Sequence, residues 1–283
     1  MIRIITDTTA VLPQEIIQKW RIKVAPQIVV FGDEEYREMV DLSYEAFMQK
    51  LKTSPELPKT AAPAPKDIED LYRPIVEAGD AILSIHPSSE LSGTMRSAAI
   101  AARSFPGADI RIIDTRTIAG PLARIVQAAA QWADAGLDVD EVEGRVREMM
   151  ARQRIYFLVD TLEYLQKGGR IGGAAAFVGS LLHLKPILTL VDGRVEPVER
   201  QRTLRKALAR LQQIVLTQSA RGDAARLTVM HSEAPDAARA LAEDLQKSLE
   251  TDDVLITNLA PAIVTHAGPG AIAVGFFTPE AGA

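Results

Sequence analysis

Short isoleucine-rich runs alternate with helical patterns along the first 150 residues. Runs of this kind are typical of β-strands, and here they cover residues 2–5, 81–85 and 110–113. Strands alternating with helices predict a parallel sheet whose C-terminal loops gather at one edge. We therefore expect the loops that follow these strands to lie near one another. They comprise residues 6–8, 86–94 and 114–115.

The pattern changes after residue 153. Asp192-Gly193 separates two apolar runs and predicts a two-residue hairpin. We therefore predict two α/β domains, residues 1–153 with a parallel sheet and residues 154–283 with a mixed sheet. Within the first domain, residues 24–31 are predicted to form one strand. The proline-rich residues 55–65 are predicted to form a stiff, extended loop.

Composition and charge exclude several classes of function. The 283 residues carry a net charge of −5, which argues against a nucleic-acid partner. There is no cysteine, so disulfides and thiolate metal sites are excluded. The N-terminus lacks a signal-peptide layout, and the most apolar window, residues 171–182, is shorter than the roughly 20 residues of a membrane span. We expect a soluble cytoplasmic protein.

A polar loop joins the strand at residues 81–85 to an alanine-rich helix, and it contains Ser92, Gly93 and Thr94. The first N–H groups of a helix point outward and carry partial positive charge, so such a loop can hold an anion. An ordinary capping box explains the same residues. Both interpretations stay open on residue chemistry alone.

Other residues have a functional and a structural interpretation as well. The four histidines lack a metal-binding spacing, and His266 is either a ligand contact or a solvated loop residue. Arg170 lies among glycines and is a candidate for an anion or a partner protein. The aspartates after strands, such as Asp7, are expected to cap helices. The helix-like run at residues 174–184 is either a core helix or the wall of an apolar tunnel.

Several segments together resemble the DegV family of bacterial fatty-acid-binding proteins. Any one motif is weak, but their order is specific and spans nearly the whole chain. The motifs are ITDT (5–8), KTAAP (59–63), SSELSGT (88–94), DT (114–115), VDTLEYLQKGGRI (159–171), KPIL (185–188), DG (192–193), RT (202–203) and HAGPG (266–270).

The resemblance implies a two-domain α/β DegV-like fold with one long-chain fatty acid buried between the domains. It implies that hydroxyl loops hold the carboxylate and that an apolar tunnel holds the acyl chain. Arg170 would lie beside the head group or on a partner-docking face. The ligand-binding residues implied are Thr60, Ala61, Ser92, Gly93, Thr94, Arg170 and His266.

The resemblance also implies a partner. Some members present the acid to a fatty acid kinase for phospholipid synthesis, and the binding protein then performs no catalysis. We expect no cofactor or metal besides the bound acid, and no nucleic acid. Transient contact with a membrane surface would serve ligand exchange, and the protein would be a monomer or weak dimer.

Two segments depart from the family pattern, at three positions. Ala61 and Ala62 replace Ser-Gln, which removes polar atoms from the head-group loop. Glu90 replaces a glycine and adds a negative charge near the expected anion site. If Glu90 points into the pocket, it would oppose a carboxylate, and if it points outward, its charge costs little. A different acyl preference and a lost kinase partnership both stay open.

Two other functions compete with a carrier. A hydrolase or phosphotransferase would use Ser92 and His266, although the nucleophile elbow, metal ligands and nucleotide loop of such enzymes are missing. A sugar- or nucleotide-binding regulator would need a polar cleft, whereas the candidate cleft segments are apolar.

Overall fold

A computed structural model describes residues 1–178 and 184–280, which form two compact units. Unit 1 consists of Met1–Ile118, Leu122–Ala151 and Ala260–Ala262. Unit 2 consists of Ala119–Pro121, Arg152–Leu259 and Ile263–Ala283. In the part of the chain that is described, no helix combines the length and the apolar character that crossing a membrane requires.

Unit 1 is built on a parallel sheet, as the alternation of strands and helices predicts. Its elements are β1 (Ile2–Asp7), α1 (Gln14–Trp20), β2 (Lys23–Ala25), β3 (Ile28–Phe31), β4 (Glu34–Arg37), α2 (Tyr44–Thr53), β5 (Lys59–Ala61), α3 (Pro65–Glu77), β6 (Ala81–His86), α4 (Thr94–Ala102), β7 (Ile110–Asp114), α5 (Ala119–Asp134, beginning in unit 2) and α6 (Val139–Arg152, ending in unit 2). The sheet order is β2-β1-β6-β7, and every pair is parallel.

The parallel register brings the loops at the strand ends together. His86 is opposite Asp114 at the C-terminal ends of β6 and β7. Ser89 Oγ donates a hydrogen bond to an Asp114 carboxylate oxygen at 2.6 Å, and Thr115 N–H donates to the His86 carbonyl at 3.1 Å. The predicted proximity of residues 86–94 to residues 114–115 is therefore confirmed.

A second, antiparallel sheet in unit 1 corrects two predictions. Residues 24–31 do not form one strand, because the chain breaks at Pro26-Gln27 and continues as β3 in the order β4-β3-β5. Part of the predicted proline-rich loop is strand β5, in which Thr60 pairs with Val29. Prolines hold the backbone extended, which suits an edge strand as well as a loop.

One core cluster of unit 1 lies between the parallel sheet and helices α3 and α4. Ile5 and Ile82 from the sheet pack with Ile68, Tyr72 and Ala98 from the helices, and all five are fully buried. Burying an aliphatic or aromatic side chain stabilises the fold by about 1.5–3 kcal/mol. The apolar helix faces therefore fix the sheet edge that carries the polar loops.

Unit 2 contains a mixed sheet in the order β10-β9-β8-β13-β11-β12. Its elements are β8 (Gln153–Leu158), α7 (Glu163–Lys167), β9 (Lys185–Val191), β10 (Arg194–Gln201), α8 (Leu204–Gln218), β11 (Leu227–His231), α9 (Pro235–Leu249), β12 (Val254–Asn258), α10 (Pro261–Ala267, beginning in unit 1) and β13 (Ile272–Phe277). Buried residues of α8, α9 and the sheet form one core, including Leu211, Leu245 and Phe276. The predicted α/β class, with a parallel sheet and a mixed sheet, is confirmed.

Two local predictions in unit 2 have different outcomes. The hairpin at Asp192-Gly193 is present, with positive φ at both residues, as its tight turn requires. The helix predicted from residue 174 is a 3-10 helix over Gly172–Phe177. A side chain at Gly172 would overlap the Val195 carbonyl, so the backbone of this short helix lies directly on β10. The rest of that prediction, residues 179–183, lies outside the described residues.

Candidate functional site

The loop between β6 and α4 places two hydroxyls side by side. Ser92 Oγ and Thr94 Oγ1 are 2.9 Å apart, and Ser92 Oγ also accepts the Thr94 N–H at 3.3 Å. Thr94 is fully buried, whereas Ser92 is half-buried. A capping box in the strict sense is absent, because the residue before α4 is Gly93, which provides no side-chain cap. Ser92 Oγ nevertheless accepts the first N–H of α4, so its hydroxyl also has a structural role at the start of this helix.

The segment that follows the strand of Thr60 lies close to this loop. A Cβ built on Gly93 would lie 3.4 Å from the Cβ of Ala62, which is an ordinary van der Waals contact. Thr60 is half-buried in β5, and Ala61 is exposed. Unit 1 therefore brings the predicted site residues Thr60, Gly93 and their neighbours into one region.

Gln27, which no sequence motif singles out, also belongs to this region. Its side chain is 3% exposed, and its Nε2 donates a hydrogen bond to Thr94 Oγ1 at 2.7 Å. Its backbone N–H donates to Thr8 Oγ1 at 3.1 Å, and its carbonyl accepts the Glu38 N–H at 2.8 Å. A lone glutamine after a proline gives no sequence signal for such a role.

Glu38 is a fully buried carboxyl next to these groups. It accepts hydrogen bonds from Thr8 Oγ1 and, at 2.7 Å, from the backbone N–H of Ala262 in unit 1. Burial raises the pKa of Glu38 to about 7, the negative charge of Asp7 adds to that rise, and the two hydrogen bonds oppose it. Glu38 therefore ionises at a higher pH than an exposed glutamate does.

Asp7 and His86 form a separate buried polar group. Asp7 Oδ1 accepts the Thr9 N–H at 2.9 Å, so Asp7 caps the short 3-10 helix Thr8–Ala10, as expected. Asp7 Oδ2 lies 3.8 Å from His86 Nδ1, too far for a hydrogen bond. His86 Nε2 lies 2.8 Å from Ser84 Oγ, and the group is in the interior of unit 1, away from solvent.

Glu90 lies in an exposed position in the same loop. Its backbone N–H donates to Ser88 Oγ at 3.2 Å, which closes the turn before Ser92. An exposed carboxylate remains hydrated and is screened by salt. The charge introduced by Glu90 therefore costs unit 1 little.

Unit 2 places Arg170 close to His266. A side chain at Gly168 would overlap His266 Nδ1, so glycine is required for the imidazole to lie against the backbone. Arg170 donates a hydrogen bond to the Gly168 carbonyl at 2.7 Å. Burial and the positive charge of Arg170 lower the pKa of His266 to about 4. The imidazole is therefore neutral at pH 7 and carries one N–H donor.

Replacing Arg170 by glutamine should raise the pKa of His266 from about 4, because the nearby positive charge is lost. Burial, the larger cause, remains, so the pKa should stay below 6.5. NMR titration of the imidazole resonances measures this, and a His266→Gln variant assigns the signal. Arg239→Gln, at an exposed position on α9, is the control. An unchanged His266 pKa in Arg170→Gln would contradict the assignment of the charge effect.

The described residues contain no group of three or more histidine, aspartate or glutamate side chains able to hold a metal ion. Unit 1 thus offers a hydroxyl pair beside buried Gln27, and unit 2 offers a neutral imidazole with a guanidinium. Each of these sets, taken by itself, contains hydrogen-bond donors of the kind that an acidic group accepts.

The fold and these loops define an α/β protein of a known class. Residues 1–279 match the family model described as "Uncharacterised protein, DegV family". A DegV domain-containing protein from Streptomyces coelicolor is 40% identical over 275 residues, which are 96% of this chain and 97% of that protein. The chain belongs to the DegV family.

Solved structures agree with this assignment. A DegV family protein from Thermus thermophilus, described by its fatty acid binding, matches with a TM-score of 0.89 and 32% identity, covering 98% of this chain and 99% of that one. DegV from Bacillus subtilis, described as a fatty acid binding protein, matches with a TM-score of 0.86 and 32% identity over the same shares. These structural neighbours bind fatty acids.

Proposed function

We propose that this protein binds a long-chain fatty acid and does not itself catalyse a reaction. The observation that carries the proposal is the Ser92–Thr94 hydroxyl pair at the start of α4, in a chain whose relatives include fatty acid binding proteins. A carboxylate is an acceptor-only group, and it matches donors held in fixed positions.

The remaining predicted contacts are part of this proposal. Thr60, Gly93 and Ala61 would line the head-group region of unit 1. Arg170 and His266, which belong to unit 2, are also proposed as ligand-binding residues. Because the His266 imidazole is neutral at pH 7, it can donate an N–H to a carboxylate without itself carrying a charge. The acyl chain would occupy an apolar tunnel.

Native mass spectrometry of protein purified from a bacterial host tests this proposal. The expected spectrum shows one long-chain fatty acid per chain, and protein stripped of lipid should reload with palmitate. Hexadecane, which lacks the carboxylate, is the matched control ligand and should not compete. Stripped protein that accepts no fatty acid would contradict the proposal.

The competing hydrolase or phosphotransferase needs a base for Ser92. Among the described residues, Ser92 Oγ hydrogen-bonds to the hydroxyl and backbone of Thr94, and neither is a base. A histidine with a pKa of about 4 is a weak base at neutral pH. The carrier therefore fits the local chemistry better than the enzyme.

We further propose that the bound acid is presented to a fatty acid kinase in the cytoplasm, with transient contact at a membrane surface for ligand exchange. The chain would act as a monomer or weak dimer. Loaded protein, the host kinase and ATP should give an acyl phosphate that hydroxylamine traps as a hydroxamate. Loaded protein that yields no hydroxamate would contradict presentation while leaving fatty acid binding intact.

A further inference from the structure

Gln27 is held in place on three sides within unit 1. Its backbone N–H is bonded to Thr8 Oγ1, its carbonyl to the Glu38 N–H, and its side-chain Nε2 to Thr94 Oγ1. With 3% of its surface exposed, the side chain has little room to turn. The amide therefore stays fixed behind the Ser92–Thr94 pair.

The hydrogen-bond direction follows from the donor capacity of each group. An amide NH2 can only donate, so a lone pair of Thr94 Oγ1 is used by Gln27. At 2.9 Å either hydroxyl of the Ser92–Thr94 pair can donate to the other. We assign the hydrogen to Thr94, because Thr94 is fully buried and Ser92 Oγ is the acceptor that the described residues place within reach of its hydroxyl. Ser92 Oγ already accepts the Thr94 N–H at 3.3 Å.

These bonds leave the Ser92 hydroxyl with only its own hydrogen available for a further hydrogen bond. Both lone pairs of Ser92 Oγ are then used, so its own hydrogen has to be donated outward to an acceptor. Hydrogen bonds that run in one direction polarise one another and strengthen the last donor. These hydrogen bonds form a hydroxyl chain that runs from Gln27 through Thr94 to Ser92.

We propose that Gln27 is a positioning residue that fixes the direction of this hydroxyl chain, so that Ser92 selects an ionised carboxylate. The inference rests on the proposed function, and it identifies the ionised carboxylate as the feature of the ligand that the site recognises. The oxygen of a fatty alcohol carries no charge, and it also carries a hydrogen, which faces the hydrogen that Ser92 donates. The site therefore discriminates an acid from an alcohol of equal chain length.

A competition experiment tests this inference. Stripped protein is mixed with vesicles carrying equal amounts of palmitate and hexadecanol, and native mass spectrometry gives the ratio of the two complexes. The acid should dominate in the wild type. In Gln27→Met, which keeps the side-chain size but cannot donate, the acid-to-alcohol ratio should fall at least tenfold. Gln49→Met, at an exposed position on α2, should keep the wild-type ratio.

A double-mutant cycle separates this role from a general packing effect. Thr94→Val removes the hydroxyl that connects Gln27 to Ser92, so it should lower the ratio at least as much as Gln27→Met. The Gln27→Met/Thr94→Val protein should show no further loss, because the two residues act through one chain. Thermal melting confirms that each variant is folded.

The outcomes separate the two levels of the hypothesis. Two results would overturn the role of Gln27 and leave fatty acid binding intact. In the first, the variants keep the wild-type acid-to-alcohol ratio. In the second, the losses of this ratio in the two single variants add up in the double variant. Tighter acid binding by Gln27→Met would show that Thr94 donates toward residue 27, which also overturns it. Wild-type protein that binds neither ligand would overturn the proposed function and this inference with it.

Discussion

Glu38→Gln is expected to make the protein more stable than the wild type at pH 8 while changing its stability little at pH 5. The pKa of Glu38 is about 7 in the folded protein and near 4.5 when the chain is unfolded. Below pH 4.5 the carboxyl is protonated in both states. Between pH 4.5 and pH 7 the folded state binds more protons, so stability is lost as the pH rises.

The size of this effect follows from the pKa difference. One pKa unit corresponds to 1.36 kcal/mol, so ionisation of Glu38 costs the folded state about 3 kcal/mol by pH 8. Glutamine fills the same space without a charge and accepts the Ala262 N–H through its oxygen. The variant therefore loses this pH dependence.

Urea denaturation at several pH values measures the difference in the free energy of unfolding between Glu38→Gln and the wild type. Taking the difference cancels the contribution of His266, whose lowered pKa acts in the opposite sense between pH 4 and pH 6.5. Glu45→Gln, at an exposed position on α2, is the matched control. A difference that stays constant from pH 5 to pH 8 would show that Glu38 does not titrate as its burial requires.

Ser92→Ala is expected to weaken palmitate binding by about 10- to 150-fold. A hydrogen bond to a charged group contributes about 1.5–3 kcal/mol, and each 1.4 kcal/mol changes affinity tenfold. Alanine also leaves the Thr94 hydroxyl without its neighbour, so the direct contact and the polarised chain are both lost.

Ser89→Ala is the control for this variant. Ser89 lies in the same loop, but its hydroxyl donates to Asp114, so its loss should leave palmitate affinity within about twofold of the wild type. Titration of stripped protein with palmitate measures both affinities. Equal affinities of Ser92→Ala and the wild type would exclude Ser92 from the head-group contact.

The fold class could be predicted because its signals are local. Strand runs, helical spacing and the Asp192-Gly193 turn depend on residues a few positions apart. The structure contains the strands predicted at residues 2–5, 81–85 and 110–113, and the turn. Two other segments of unit 1 were predicted wrongly. The proline-rich segment contains β5, and residues 24–31 are split between two sheets, because hydrogen-bond partners decided these elements.

The sequence by itself determined the α/β class, the family, and the hydroxyl loop with Ser92, Gly93 and Thr94. Only the tertiary structure showed that Gln27 supports that loop and that Glu38 is buried beside it. The physical reason is separation along the chain, because Gln27 and Thr94 are 67 positions apart and Glu38 and Ala262 are 224 apart. The raised pKa of Glu38 and the hydrogen bond from Gln27 to Thr94 depend on such distant partners, which no local pattern contains.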